Sequence, residues 1–321
     1  MSARGSVVVL GGTGFVGLHV CARLAETGFD VVAVARRPPD RALAGRFLAM
    51  DLTRVSAGEL AGELAAIGPR VVVNATGSIW GRRNDEQMWD GAVVPTQRLL
   101  DALVLLGTRP RLIHLGSVLE YGPVRVGTSG TDTAERPGSA YGRAKLHATQ
   151  AVLAEIRAGR FEGMVLRIAN VAGPGSPAVS LLGRVAERLL AAGGTGPAEI
   201  ELDPLQAHRD YVDVRDVAVA VTAAVTSTVS GELVPIGRGE TVPVRTLVEL
   251  LITHSRTPAV VVERPSTGAR HSTEDWLRVD IGPAERLLGW RPQRTPAESV
   301  AAFWADFVRR AHDEPERSAV T

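Results

Sequence analysis

Ser6-Val7-Val8-Val9-Leu10 is an unbroken apolar run rich in β-branched residues. That is the pattern of a parallel strand buried on both faces, not the alternation of a half-exposed one. A glycine-rich turn follows, then a helical pattern ending near Gly28. Further strands are predicted at Asp30 to Ala35, Phe47 to Met50, Arg70 to Ala75 and Arg111 to Leu115, with helical stretches at Gln97 to Leu106 and 142–157. Strands alternating with helices in this way predict an α/β fold built on a doubly wound parallel sheet, which receives ligands at the carboxyl ends of its strands. Asp51, Thr76 and Ser117 fall at such ends. Beyond residue 170 the character changes: 173–177 and 193–197 read as loops, Leu181 to Leu190 and Val244 to Thr253 as helices. The tail from Asp313 is polar and is expected to fray.

Composition narrows the classes. With 321 residues, 45% hydrophobic and 22% charged, the chain is long enough for one large core or two closely joined domains. A net charge of +1 argues against nucleic acid or an anionic membrane as the main partner. No stretch approaches a membrane span, the Val7 to Leu10 run is too short for a signal segment, and the single Cys21 cannot form an internal disulfide, so a soluble cytoplasmic protein is expected. None of the seven histidines has metal-ligand spacing, and no metal site is expected.

Two stretches carry chemistry. The first is Gly11-Gly12-Thr13-Gly14-Phe15-Val16-Gly17, a GxxGxxG turn between a strand and a helix. Glycines there permit a tight turn and close backbone approach, and the helix N-terminus offers unpaired N–H groups to a pyrophosphate. The second strand then ends in Arg36-Arg37 with no carboxylate. An acidic residue at that place binds the 2′-hydroxyl of NAD, whereas arginine accommodates the 2′-phosphate of NADP, so NADPH is favoured over NAD unless the pair is an ordinary exposed basic turn. Asp51 is placed to meet the adenine.

The second stretch is Ser139-Ala140-Tyr141-Gly142-Arg143-Ala144-Lys145. Lys145 is the sole lysine, every other basic Lys/Arg position being arginine, and it follows one of only three tyrosines by four residues. Chance places a lone lysine so in about one such chain in a hundred. Four residues are one helical turn, which puts the two Cβ atoms roughly 5–6 Å apart on one face. An ammonium within roughly 4–6 Å lowers a phenol from its usual pKa of about 10, which would make Tyr141 a candidate general acid or base.

At these residues the chain resembles the extended short-chain dehydrogenase/reductases, the family of nucleotide-sugar epimerases, dehydratases and ketoreductases. Gly11, Gly14 and Gly17 match its glycine motif, Tyr141 and Lys145 its YxxxK, and Ser117 its catalytic Ser/Thr, five residues before the glycine of Tyr121-Gly122. Leu166 to Pro174 resembles its LRxxNxxGP, Arg209 to Val217 its RDxxxVxDV, and Leu287 to Pro292 its closing LGWxP. The resemblance spans residues 6 to 305. It implies a Rossmann-type NADP-binding domain over 1–169 and a smaller C-terminal substrate-binding lobe over 170–321, with segments near 209–236 returning to the first domain. It implies a catalytic Ser117, Tyr141 and Lys145, with Lys145 holding the nicotinamide ribose and acidifying Tyr141. It implies dinucleotide contacts at Gly11, Thr13, Gly14, Phe15, Val16, Gly17, Arg36, Arg37, Asp51, Leu52, Ala75, Thr76 and Gly77, besides Tyr141 and Lys145. For the substrate it implies Ser117, Asn170 and Arg209, with Arg270 or Arg278 as a second phosphate clamp, although in so arginine-rich a chain a plain surface charge competes at the last two. It also implies a homodimer through the helices at 97–106 and 142–157.

Two departures bear on activity. Dehydratases follow the catalytic Ser/Thr with Asp-Glu, where this chain has Val118-Leu119. The helix that usually carries an NVxGTxxLL pattern reads Ala92 to Leu100 here, and Pro95 suggests altered geometry at its start. The expectation is an NADPH-dependent ketoreductase acting on a nucleotide-activated 4-keto-deoxy sugar, with dTDP as the expected nucleotide. An epimerase with retained NAD(P) and a reductase of a non-sugar ketone are the alternatives. A non-enzymatic dinucleotide sensor fits poorly, since such relatives lose the tyrosine or the lysine.

Overall fold

The computed structural model describes residues 4–77, 84–122, 127–192, 196–264 and 276–318, with side chains to 313. Seven parallel strands form the central sheet: β1 (Ser6–Leu10), β2 (Asp30–Ala35), β3 (Arg46–Ala49), β4 (Val71–Asn74), β5 (Arg111–Ser117), β6 (Gly163–Ile168) and β7 (Leu233–Ile236). Their order across the sheet is β7-β6-β5-β4-β1-β2-β3. The order reverses at β1, where β4 lies on one side and β2 on the other, so a crevice opens above its carboxyl end. This is the α/β, Rossmann-type doubly wound sheet.

Nine helices are assigned among the described residues: α1 (Phe15–Glu26), α2 (Ala57–Ile67), α3 (Asp85–Leu105), α4 (Ala140–Arg157), α5 (Leu181–Ala191), α6 (Val214–Thr226), α7 (Val244–Ser255), α8 (Gly282–Leu288) and α9 (Pro296–Ser318). One face of the sheet packs on α1 and α6, the other on α2, α3 and α4, so β1 and β4 are buried on both sides, as their unbroken apolar runs require. A third apolar cluster joins α5, α7 and α9 to the paired strands Ala198–Leu202 and Ala259–Glu263. β7 comes from far along the chain to pair with β6, Val234 opposite Leu166.

Three details differ from the sequence expectations. β5 runs two residues further, because Gly116 and Ser117 still pair with Arg167 and Ile168 of β6. Pro95 lies in the middle of α3, not at its start, because the helix begins at Asp85 under an Asn84 cap that accepts the Gln87 N–H at 2.8 Å. The proline lacks the N–H that would reach Gly91, and one residue on Thr96 adds a side-chain bond from its hydroxyl to the Ala92 carbonyl at 2.7 Å. The tail expected to fray is helical through Ser318, with Arg309 pairing Asp313 one turn along α9.

Candidate active site

Above the switch point lies a cleft of about 1660 Å³. Its floor is the glycine turn. Gly11 sits at φ +76°, with its N–H on the Val34 carbonyl at 2.8 Å. A Cβ on Gly17 would stand 2.1 Å from the Gly11 carbonyl oxygen, so only glycine lets the helix start this close to the turn. Gly14 caps α1 without a side-chain acceptor, and the first turn carries no acidic residue, which leaves its N–H groups available to an anion. Gly17→Ala is expected to weaken dinucleotide binding at least about tenfold, close to 1.4 kcal/mol, and fluorescence titration with NADP+ and NAD+ checks it.

Thr13, Gly14, Phe15, Val16, Arg36, Arg37, Asp51 and Leu52 line the same cleft. Arg36 and Arg37 are exposed at the end of β2. The Thr53 hydroxyl and N–H both donate to Asp51 Oδ1, at 2.7 and 2.9 Å, and with the nearby Arg36 charge they hold its carboxyl below the usual range. Ala75, Thr76 and Gly77 form the next wall. Thr76 is held by Asn74, whose Oδ1 accepts its hydroxyl at 2.6 Å and its N–H at 3.1 Å, and buried Asn74 in turn donates to Thr96 at 3.0 Å.

Ser117 ends β5, and Tyr141 opens α4, where the Ser139 side chain caps the helix by accepting the Gly142 N–H at 3.0 Å. The Tyr141 hydroxyl donates to the Gly77 carbonyl at 3.4 Å. Lys145, one turn on and only 2% exposed, lies beneath the cleft wall. Its Nζ donates to the Leu115 carbonyl at 2.5 Å and the Thr76 carbonyl at 3.3 Å. An ammonium has three donors, so one is left for a ligand.

The electrostatics correct one expectation. Tyr141 is not acidified in this arrangement: burial pushes its phenol above the usual value, and the Glu120 charge adds to the rise. The reason is that the Lys145 ammonium is bound to two carbonyls, while the phenol stands against a largely buried wall. Lys145 itself is lowered to about 8 by burial, with Glu120 opposing the fall.

On the far side, Asn170 lines the cleft and is tied to the Asp210 carbonyl by its backbone N–H at 3.2 Å and its side chain at 3.3 Å. Arg209 and Arg278 are not among the lining residues. Arg209 Nη1 donates to the His208 carbonyl at 3.3 Å, and Arg278 Nε to the Gly239 carbonyl at 2.8 Å. Arg270 falls outside the described residues. The sequence reading missed buried Asp210, which accepts the N–H groups of Arg238, Gly239 and Val279 at 2.6, 2.8 and 3.1 Å and so ties the Arg278–Val279 strand to the loop beside it. It also missed Glu120 and Arg167, a buried ion pair at 2.7 Å directly under Ser117. No group of three or more His, Cys, Asp or Glu among the described residues could hold a metal, and no helix there is long and apolar enough to cross a membrane.

A glycine turn at the switch point, with Ser117 and Tyr141 lining the cleft and Lys145 beneath its wall, defines a dinucleotide-dependent enzyme of the short-chain dehydrogenase/reductase type, and the chain belongs to the NAD dependent epimerase/dehydratase family, whose model matches residues 7–237. Its members act on nucleotide sugars with NAD(P). A relative in Kitasatospora kifunensis, dTDP-6-deoxy-L-talose 4-dehydrogenase (NAD(P)(+)), is 42% identical over 94% of this chain and 96% of its own length. Among solved structures, MoeE5 in complex with UDP-glucuronic acid and NAD superposes with a TM-score of 0.81 at 26% identity, covering 96% of this chain and 100% of that one. UDP-glucose 4-epimerase from Thermotoga maritima, with UDP-glucose, shares the fold at a TM-score of 0.84 and 23% identity, covering 95% and 99%.

Proposed function

We propose that this protein reduces the 4-keto group of a dTDP-activated 6-deoxy sugar with NADPH, Tyr141 delivering the proton to the carbonyl oxygen. The observation that carries this reading is the near full-length match to a 4-dehydrogenase of a dTDP-6-deoxy sugar, in a chain with Ser117 and Tyr141 on one cleft wall above Lys145. Reduction is the reverse of the reaction in that relative's name, and the same acid and base serve both directions. When bound, the nicotinamide supplies the hydride.

The protein's residues do the rest. Tyr141 gives its proton to the sugar oxygen, Ser117 donates a hydrogen bond to the same oxygen, and Lys145 holds the nicotinamide ribose and faces the negative charge left on the phenol. The α1 N-terminus holds the pyrophosphate. Val118 and Leu119, in the place of the dehydratase acid and base, line the cleft and offer no group for elimination. Asn170 contacts the sugar nucleotide. Arg209 and Arg278 each place one donor on a backbone carbonyl, of His208 and Gly239, and the other guanidinium N–H groups are those assigned to the phosphates. A homodimer through α3 and α4 belongs to the same reading, with Trp89, Val104 and Leu105 of α3 exposed.

Arg36 and Arg37 are assigned to the 2′-phosphate. Replacing both by alanine is expected to weaken NADP+ binding by about 10–100-fold, the worth of one or two charge-assisted hydrogen bonds, while NAD+ affinity stays within about twofold. Equal losses for both dinucleotides would remove that assignment.

Incubation with NADPH and a panel of dTDP-4-keto-6-deoxy sugars, followed by loss of NADPH absorbance, tests the function. Turnover with one of them is expected. Stoichiometric NAD retained by the purified protein, with inversion of a sugar stereocentre and no NADPH consumption, would favour an epimerase, which the family match also accommodates.

A further inference from the structure

Glu120 is fully buried in the short helical turn after β5, and every group around it is a donor. The Ser117 N–H reaches its Oε1 at 2.7 Å and the Thr149 hydroxyl at 3.0 Å, while Arg167 Nε and Nη2 reach Oε2 at 2.8 and 2.7 Å. A protonated carboxyl would turn an O–H toward donors, so the surroundings are those of a carboxylate. A Cβ on Gly116 would lie 2.7 Å from Oε1, so glycine there is what admits the side chain.

We propose that Glu120 is a positioning residue of the active site, pinning Ser117 through its backbone N–H and serving as the buried counter-charge of Lys145, with Arg167 keeping it ionised. This rests on the role given to Lys145 under Proposed function. Thr149 is one helical turn beyond Lys145 on α4, so the Glu120 carboxylate ties the end of β5 to the helix that carries Tyr141 and Lys145.

Tyr141 and Thr149 share the Lys145 helix, one turn to either side, while His114 on β5 and Glu120 in the turn are coupled to Lys145 by charge. Arg167 from β6, stacked at 4.4 Å on the Tyr121 ring, and Glu135, which it also contacts at 2.5 Å, lie behind Glu120. Burial and the Lys145 charge hold His114 well below its usual pKa, so it stays neutral. Burial pushes the Glu120 carboxyl up, while Arg167 and Lys145 pull it back. The donors on both its oxygens keep Glu120 an anion, and its charge opposes the loss of the Lys145 proton.

The test follows dinucleotide affinity, which does not depend on which sugar is reduced. NADP+ is titrated by fluorescence across about pH 6 to 9.5. For the wild type, affinity is expected to fall as pH rises through about 8, where the ammonium is lost. In E120Q that midpoint is expected to drop by about one pH unit, making binding near pH 8 up to about tenfold weaker. T149V, which removes a hydrogen bond but no charge, should keep the wild-type midpoint. E120D keeps the charge but is too short for the Ser117 N–H, so its midpoint should stay while kcat on the keto sugar falls. A wild type with flat affinity over this range overturns the Lys145 role itself. A wild-type midpoint that folded E120Q leaves in place overturns the Glu120 proposal alone. Should E120Q fail to fold, a shifted midpoint or undiminished kcat in E120D overturns it, and the opposite pair of results supports it.

Discussion

Tyr141→Phe is expected to lower kcat for keto-sugar reduction by about 10²–10⁴-fold, the usual worth of a positioned general acid, while NADPH affinity stays within about threefold. The hydroxyl's bond to the Gly77 carbonyl is long, 3.4 Å, so its loss costs the fold little. The ring remains to fill the same wall, and the anion site at the α1 N-terminus is untouched. Burial and Glu120 raise the phenol above its usual value, so Tyr141 carries its proton throughout the neutral range, and giving it up relies on the Lys145 charge that faces the phenolate. Stopped-flow measurement of NADPH oxidation with a saturating keto sugar separates the loss of chemistry from any loss of binding. A variant retaining more than about a tenth of wild-type kcat would remove Tyr141 from the acid's role.

Arg167→Met is expected to destabilise the protein by about 3–5 kcal/mol, because it strands a buried carboxylate. Against a typical total of about 5–15 kcal/mol, such a variant approaches unfolding. Arg167 is 1% exposed in a strand with all six residues buried, and its guanidinium meets Glu120, Glu135 and the Tyr121 ring. The pH dependence carries the signature. Burial already raises Glu120 above its unfolded value, and loss of Arg167 raises it further. A carboxyl with a raised folded-state pKa contributes stability that is present below the unfolded value and lost as pH rises through the folded one. Urea denaturation should therefore find Arg167→Met more destabilised near neutral pH than in mild acid. The double variant E120Q/R167M should recover much of the loss, since removing both charges leaves neither stranded. A uniform loss at all pH values would point to packing alone.

Much of the sheet was legible because buried parallel strands write themselves as apolar runs: Ser6–Leu10 and Asp30–Ala35 have the bounds expected from the pattern. The start of α3 was not, since Gly91 and Pro95 are poor helix residues and hide the continuity that packing imposes. The readable signal there was Asn84, an N-cap followed by Asp85 and Glu86 in the first turn. The cleft lining from Thr13 to Gly77 followed from strand ends and the glycine turn, because topology puts strand ends together. Glu120 and Arg167 carried a signal that went unused: each is a charge set in an apolar stretch, and a buried charge requires an opposite partner. Which charge meets which depends on the register of β5 against β6, and that is a property of the folded sheet. Arg209 and Arg278 show the converse, since motif spacing says nothing of which carbonyl a guanidinium takes in the folded chain.

The pairing of β7 with β6 bears on how the chain is made. While the ribosome extends the segment between them, the edge of β6 that β7 will take has no partner yet made, and Val165, Leu166 and Ile168 on that strand are destined for burial. At roughly 5–20 residues per second that edge stays open for several seconds. An open apolar edge is a template for pairing with another chain. The growing chain thus carries an unpaired apolar edge until Leu233 to Ile236 arrive to close the sheet.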